Sequence, residues 1–160
     1  MAKEIERKFL VRDDRWKADA GQGSRIRQAY ILAMDGRNMR VRVRDNRKAT
    51  LTIKAGGHGL TRDEFEFDVP VDEALPLFQL KLGNLIEKTR YKIKHARHVW
   101  EVDVYSGALA GLVVAEVEMK SEKERPEIPD WIGAELTGNP AFSNQALALS
   151  GLPADAYAET

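Results

Sequence analysis

Seven stretches of this 160-residue chain alternate charged and apolar residues one by one, and the sign of the charge is sorted from stretch to stretch. Side chains point to opposite faces of a β-strand in turn, so each stretch folds naturally into a ribbon with one charged and one apolar face. Strand one, about Lys3 to Val11, lines up Glu4, Glu6 and Lys8. Strand three (Met39 to Arg44) offers Arg40, Arg42 and Arg44, and strand four (Thr50 to Lys54) offers Lys54. Strand five (Asp63 to Val69) carries Glu64, Glu66 and Asp68. Strand six (Leu85 to His95) carries Lys88, Arg90, Lys92 and Lys94. Strand seven (His98 to Tyr105) adds Glu101 and Asp103, and strand eight (Leu112 to Lys120) adds Glu116 and Glu118. The opposite faces hold residues such as Val41, Ile53, Phe65, Ile93, Val102 and Val117.

Such alternation most often means a sheet with one face on a core and the other in water. Ordinary wet faces mix both charge signs, because opposite charges attract across strands. Here strands one, five, seven and eight are mainly acidic, whereas three, four and six are mainly basic. A further strand, about Ile26 to Met34, runs into Asp35-Gly36, a signal for a tight primed hairpin turn. Eight strands joined mostly by short turns favour antiparallel neighbours and closure into a barrel. The expected fold is therefore mainly β (α+β): a closed eight-stranded antiparallel barrel with a charged tunnel and a few peripheral helices. Unpaired charges in a dry lumen cost several kcal/mol per ion, so the bore must be wet. Its basic strands suit a ligand with several phosphates, which Arg grips bidentately. Its acidic strands suit a hard divalent cation such as Mg²⁺.

The rest of the chain is read as follows. Asp13-Asp14 opens one short helix. Asp72 caps another over 73–82, with Pro76 near its first turn and Gly83 as its stop. A short helix is expected near Asp130 to Leu136, and one more after Ser143, ending at Gly151. The length fits one domain spanning 1–160. Basic and acidic residues number 25 each, which argues against a general nucleic-acid or membrane-surface binder. No cysteine is present, excluding disulfides and thiolate chemistry. His95 and His98 flank a turn and read as solvent-exposed; His58 sits in the 56–59 glycine loop. Trp16, Trp100 and Trp131 read as packing residues. Neither a signal stretch nor a membrane-length apolar run is seen, so a cytoplasmic protein is expected.

The ordered series Glu4-x-Glu6-x-Lys8, Arg40-x-Arg42, Lys54, Glu64-x-Glu66, Lys88-x-Arg90 and Glu116-x-Glu118 resembles the CYTH superfamily, the triphosphate tunnel metalloenzymes, in its small bacterial form. The similarity runs from Glu4 to about Leu149, and Thr137-Gly138-Asn139-Pro140 to Ser143-Asn144 is similar to the end of those small members. The resemblance implies an enzyme that hydrolyses or cyclises triphosphates with Mg²⁺ or Mn²⁺. It implies metal binding by Glu4, Glu6, Glu116 and Glu118, and phosphate binding by Lys8, Arg40, Arg42, Lys54, Lys88 and Arg90. Glu64 and Glu66 would orient that clamp or bind water. Tyr30, in Gln28-Ala29-Tyr30, matches a tyrosine that pairs with the motif lysine as a proton acceptor, which makes Tyr30 and Lys8 the catalytic candidates. An ammonium beside a phenol favours the phenolate.

Inorganic triphosphate is the first expected substrate. Thiamine triphosphate hydrolysis ranks second and adenylate cyclisation third, since no base-recognising pocket is evident. Removal of an RNA 5′-triphosphate would call for stacking aromatics along a basic groove, and no such series is present. No nucleic-acid or membrane partner is expected, and a homodimer is left open. From other classes, a polyphosphate-binding module without turnover would gain little from so many carboxylates. A β-sandwich with a solvated charged face should gain no thermal stability from tripolyphosphate.

Overall fold

The computed structural model describes residues 2–56 and 61–153. The loop histidine, His58, lies outside the described residues. The strands are β1 (Ala2–Val11), β2 (Ser24–Met34), β3 (Arg37–Arg44), β4 (Lys48–Ala55), β5 (Thr61–Val69), β6 (Leu82–His95), β7 (His98–Ser106), β8 (Val113–Glu118) and β9 (Ile132–Glu135). The helices are α1 (Val71–Leu77) and α2 (Asn144–Ser150). The strands form one sheet in the order β5-β4-β3-β2-β6-β7-β8-β1-β9, and a β5–β1 pairing closes the first eight into a barrel. All pairings are antiparallel. Closure rules out the open sandwich.

The hairpin signal holds: Asp35 and Gly36 both take the left-handed conformation that a primed turn needs (φ 54° and 72°). The outer wall is apolar and covered in patches. Phe9, Trp100, Ile93 and Val117 pack beneath Trp16 and Trp131, so all three tryptophans are core residues. Val41, Val43 and Ala49 pack beneath Ala74 of α1.

Three local expectations are corrected. The segment expected as a helix near Asp130 to Leu136 contains β9. β5 pairs with β1 only from Ala2 to Ile5, and β9 takes up β1 at Phe9 and Val11. Backbone pairing with a vacant edge outweighs a weak helical preference interrupted by Gly133. Asp72 is not a cap: Pro70 holds the N-cap position and the helix starts at Val71. Pro76 therefore falls in the second turn, where its missing N–H and its ring oppose continuation. The α-helix ends at Leu77 and a 3-10 turn, Phe78–Leu80, follows. Gly83 is not the helix stop. It lies at the start of β6 with φ +65°, and a Cβ there would sit 2.2 Å from the carbonyl oxygen of Ala148. We expect Gly83→Ala to cost about 1–3 kcal/mol in urea denaturation, through strained backbone and displacement of α2; an unchanged midpoint would contradict this packing.

Candidate active site

The charged faces of the strands turn inward and line a cavity of about 250 Å³, with room for several waters. One wall is acidic. On β1 and β8, Glu6 stands opposite Glu118 and Lys8 opposite Glu116. Glu4 lies further along β1, where Lys54 approaches its Oε2 to 2.7 Å and donates to Oε1 at 3.0 Å. The other wall is basic: Arg40 and Arg42 from β3, Lys54 from β4 and Arg90 from β6. Glu64 and Glu66 of β5 stand beside it, and Tyr30 of β2 faces the same space.

Of the residues singled out from sequence, all but Lys88 line this cavity. Lys88 faces inward but is sealed off. Its Nζ lies 2.7 Å from Asp103 Oδ2 and 5.4 Å from the centre of the Tyr105 ring. Tyr30 and Lys8 share the cavity, yet among the described residues no hydrogen bond joins them. Lys8 Nζ donates to the Phe142 carbonyl at 3.1 Å and lies 4.0 Å from Glu116 Oε1. The two histidines are half-buried rather than exposed. The chain after β8 folds back so that Glu124 meets His98.

Sequence reasoning missed several groups. Asp103 and Glu101 were seen as charges without a role. Asp103 accepts two bonds from Arg90, at 2.7 and 2.8 Å, and Glu101 lies 3.6 Å from the same guanidinium. Arg62 extends the inward face of β5 one step before Glu64. Gln28, two residues before Tyr30, accepts from Arg42 at 2.8 Å. Asn38 donates to Gln145 at 3.1 Å and Tyr105 donates to Asn144 at 2.6 Å. These bonds fasten α2 across one end of the barrel, where Leu147 and Ala148 pack with Leu10, Ile86 and Val114. No periodicity within α2 announces that docking.

The electrostatics separate the two walls. Burial raises Glu6, and the neighbouring Glu116 and Glu4 carboxylates push it further, well above the usual carboxylate range. Burial would raise Glu116 as well, but Lys8 and Arg90 override it and hold Glu116 at about 2. Glu4 is likewise lowered against its burial, by Lys54 and then Arg62. On the basic wall, burial beside Arg40 and Arg90 brings Arg42 down to about 9. The repulsion that remains falls on Glu6 in the acidic wall and on Arg42 in the basic one.

The acidic wall fits a hard cation in kind, since it presents carboxylate oxygens and Glu6 is crowded by two others. Among the described residues no three Asp, Glu or His side chains are gathered tightly enough to hold an ion as they stand; Glu4 is held by Lys54 instead. A larger groove of about 990 Å³ lies along the start of β2, the β3–β4 turn and residues 87–89 of β6. It mixes Arg25, Arg27 and Arg47 with Asp45 and Glu87 and has no comparable carboxylate cluster.

This chain is 42% identical over 148 residues to the inorganic triphosphatase of Acetivibrio thermocellus, covering 92% of this chain and 94% of that one. It is 35% identical over 151 residues to the inorganic triphosphatase of Nitrosomonas europaea, covering 92% and 97%. A crystal structure of an inorganic triphosphatase superposes with a TM-score of 0.68 at 32% identity, covering 96% of this chain and 99% of that one. The CYTH domain matches residues 2–143, the stretch that builds the barrel and all of its cavity lining but Asn144 and Gln145. By that match and by the closed, inwardly charged barrel, the chain belongs to the CYTH domain family.

Proposed function

We propose that this protein hydrolyses inorganic triphosphate to pyrophosphate and phosphate, with Mg²⁺ or Mn²⁺ held by Glu4, Glu6, Glu116 and Glu118. The observation that carries the reading is the opposition, inside one bore, of the Arg40 and Arg42 guanidinium groups, which among the described residues have no carboxylate partner, and a cluster of crowded carboxylates. The relatives named inorganic triphosphatase support the same substrate.

In this reading the bound ion supplies positive charge to the phosphate oxygens. Arg40, Arg42 and Lys54 grip the phosphates and stabilise charge on the transferring phosphoryl oxygens. Arg90 is fixed by Asp103 through two of its donors, so the others are held with little freedom at the cavity wall. Lys8 adds charge at the closed end, and Tyr30, in its phenolate form, accepts a proton from the attacking water. Glu64 and Glu66 keep Lys54 and ordered water in place; Lys54 lies 3.8 Å from Glu64. Lys88 acts through Asp103 and not by touching substrate.

Phosphate release from tripolyphosphate tests this directly. Release should be rapid with Mg²⁺ or Mn²⁺ and fall to background in EDTA. Turnover that persists in EDTA would remove the metal from the reading, and no release under any condition would remove the activity.

A further inference from the structure

The cations of the bore fall into two groups. Lys54 is held by Glu4 and Glu64, Arg90 by Asp103 and Glu101, and Lys88 by Asp103. Arg40 makes one long bond, to Thr52 Oγ1 at 3.4 Å, and its Nε is buried without an acceptor. Among the described residues Arg42 reaches only a neutral amide oxygen, that of Gln28. Arg62 belongs with these two. It is half-buried, lines the same cavity from β5, and among the described residues has no carboxylate within ion-pair distance. Its partner across the β1–β5 seam is Glu4, which already has Lys54.

We infer that Arg62 is a fourth phosphate-binding guanidinium of the bore, beside Arg40, Arg42 and Arg90, and one that the charge pattern of the family motifs does not single out. A guanidinium carries five donors. Withdrawing it partly from water without an acceptor costs free energy, and a phosphate with two oxygens in the right plane recovers that cost. An arginine serving only to close the barrel would be expected to bond Glu4 directly, whereas Arg62 acts on that carboxylate only through its charge while Lys54 holds the hydrogen bond. The inference rests on the triphosphate reading for the identity of its ligand.

The test separates the two. Calorimetric titration of tripolyphosphate in EDTA, where hydrolysis is suppressed, should show Arg62→Ala binding about 10-fold or more weakly than the parent. Arg62→Lys should recover part of the loss, because a point charge replaces a fork. Arg12→Ala, at an exposed site after β1, should bind like the parent. With Mg²⁺ present, KM should rise more than kcat falls. Affinity within two-fold of the parent in Arg62→Ala overturns the inference. So does an equal loss in Arg12→Ala, which would mark a general charge effect. A loss with no recovery in Arg62→Lys, together with lower melting temperatures in both variants, also overturns it as a folding effect. A parent protein that binds tripolyphosphate but never hydrolyses it would defeat the proposed activity and leave Arg62 in place.

Discussion

Replacing Glu6 by Gln is expected to raise the melting temperature of the metal-free protein at pH 8 and to cut phosphate release about 100-fold or more. The two effects share one cause. Glu6 is half-buried beside Glu116 and Glu4, and the loss of water together with their charge lifts its carboxyl well above the usual range. A group whose folded value is raised contributes its stability fully below the unfolded value near 4.5. That contribution is lost as pH rises through the folded value. At pH 8 the ionised Glu6 therefore costs stability, and an isosteric amide relieves it. The gap between variant and parent should close toward pH 4. Added Mg²⁺ should stabilise the parent more than the variant, since the proposed site keeps its full charge only there. A variant that melts below the parent at pH 8 would show that the carboxylates do not repel as described; one that keeps full activity would detach Glu6 from the metal site.

The barrel was legible because its strands are two-sided. Where Val41 and Val43 face the outer core and Arg40 and Arg42 face the bore, a period of two marks both the strand and the inward face. What that period cannot encode is depth along the bore. Lys88 and Arg90 have the same parity on β6, yet one is sealed against Asp103 and Tyr105 while the other reaches the cavity. Arg62 shares its parity with Glu64 and Glu66, and it was passed over because it precedes the acidic pair. β9 was hidden for a different reason. Its strand character comes from the edge of β1 that β5 leaves unpaired beyond Ile5, a tertiary cause with no trace in four residues. The start and stop of α2 were visible in Ser143, whose hydroxyl accepts from Ala146 N–H, and in Gly151. Its place across the barrel end depends on Leu147 joining a cluster drawn from five different strands.

The largest loss of stability is expected from Asp103→Ala, about 3–5 kcal/mol in urea denaturation. Asp103 is 1% exposed. It holds Arg90 by two hydrogen bonds and stands 2.7 Å from Lys88, whose side chain is fully enclosed. Burial alone would raise Asp103, but Lys88 and Arg90 overcome it and hold the carboxyl well below its ordinary value of 3.8. A lowered acid contributes stability above its unfolded value and loses it as pH falls below that value. The parent should therefore weaken steeply below about pH 4, and the variant should lack that part of the acid transition. Burial, with Arg90 and Arg42 nearby, brings Lys88 down to about 7 even with Asp103 present. Without its counter-ion Lys88 will shed its proton more readily still, so the variant should gain stability on raising the pH from 6 to 9. Pairing Asp103→Ala with Lys88→Met should lose less than the sum of the two single changes, because the second removes the charge that the first strands. Additive losses, or a single loss below about 1 kcal/mol, would mean that Lys88 and Arg90 are held by something other than this carboxylate.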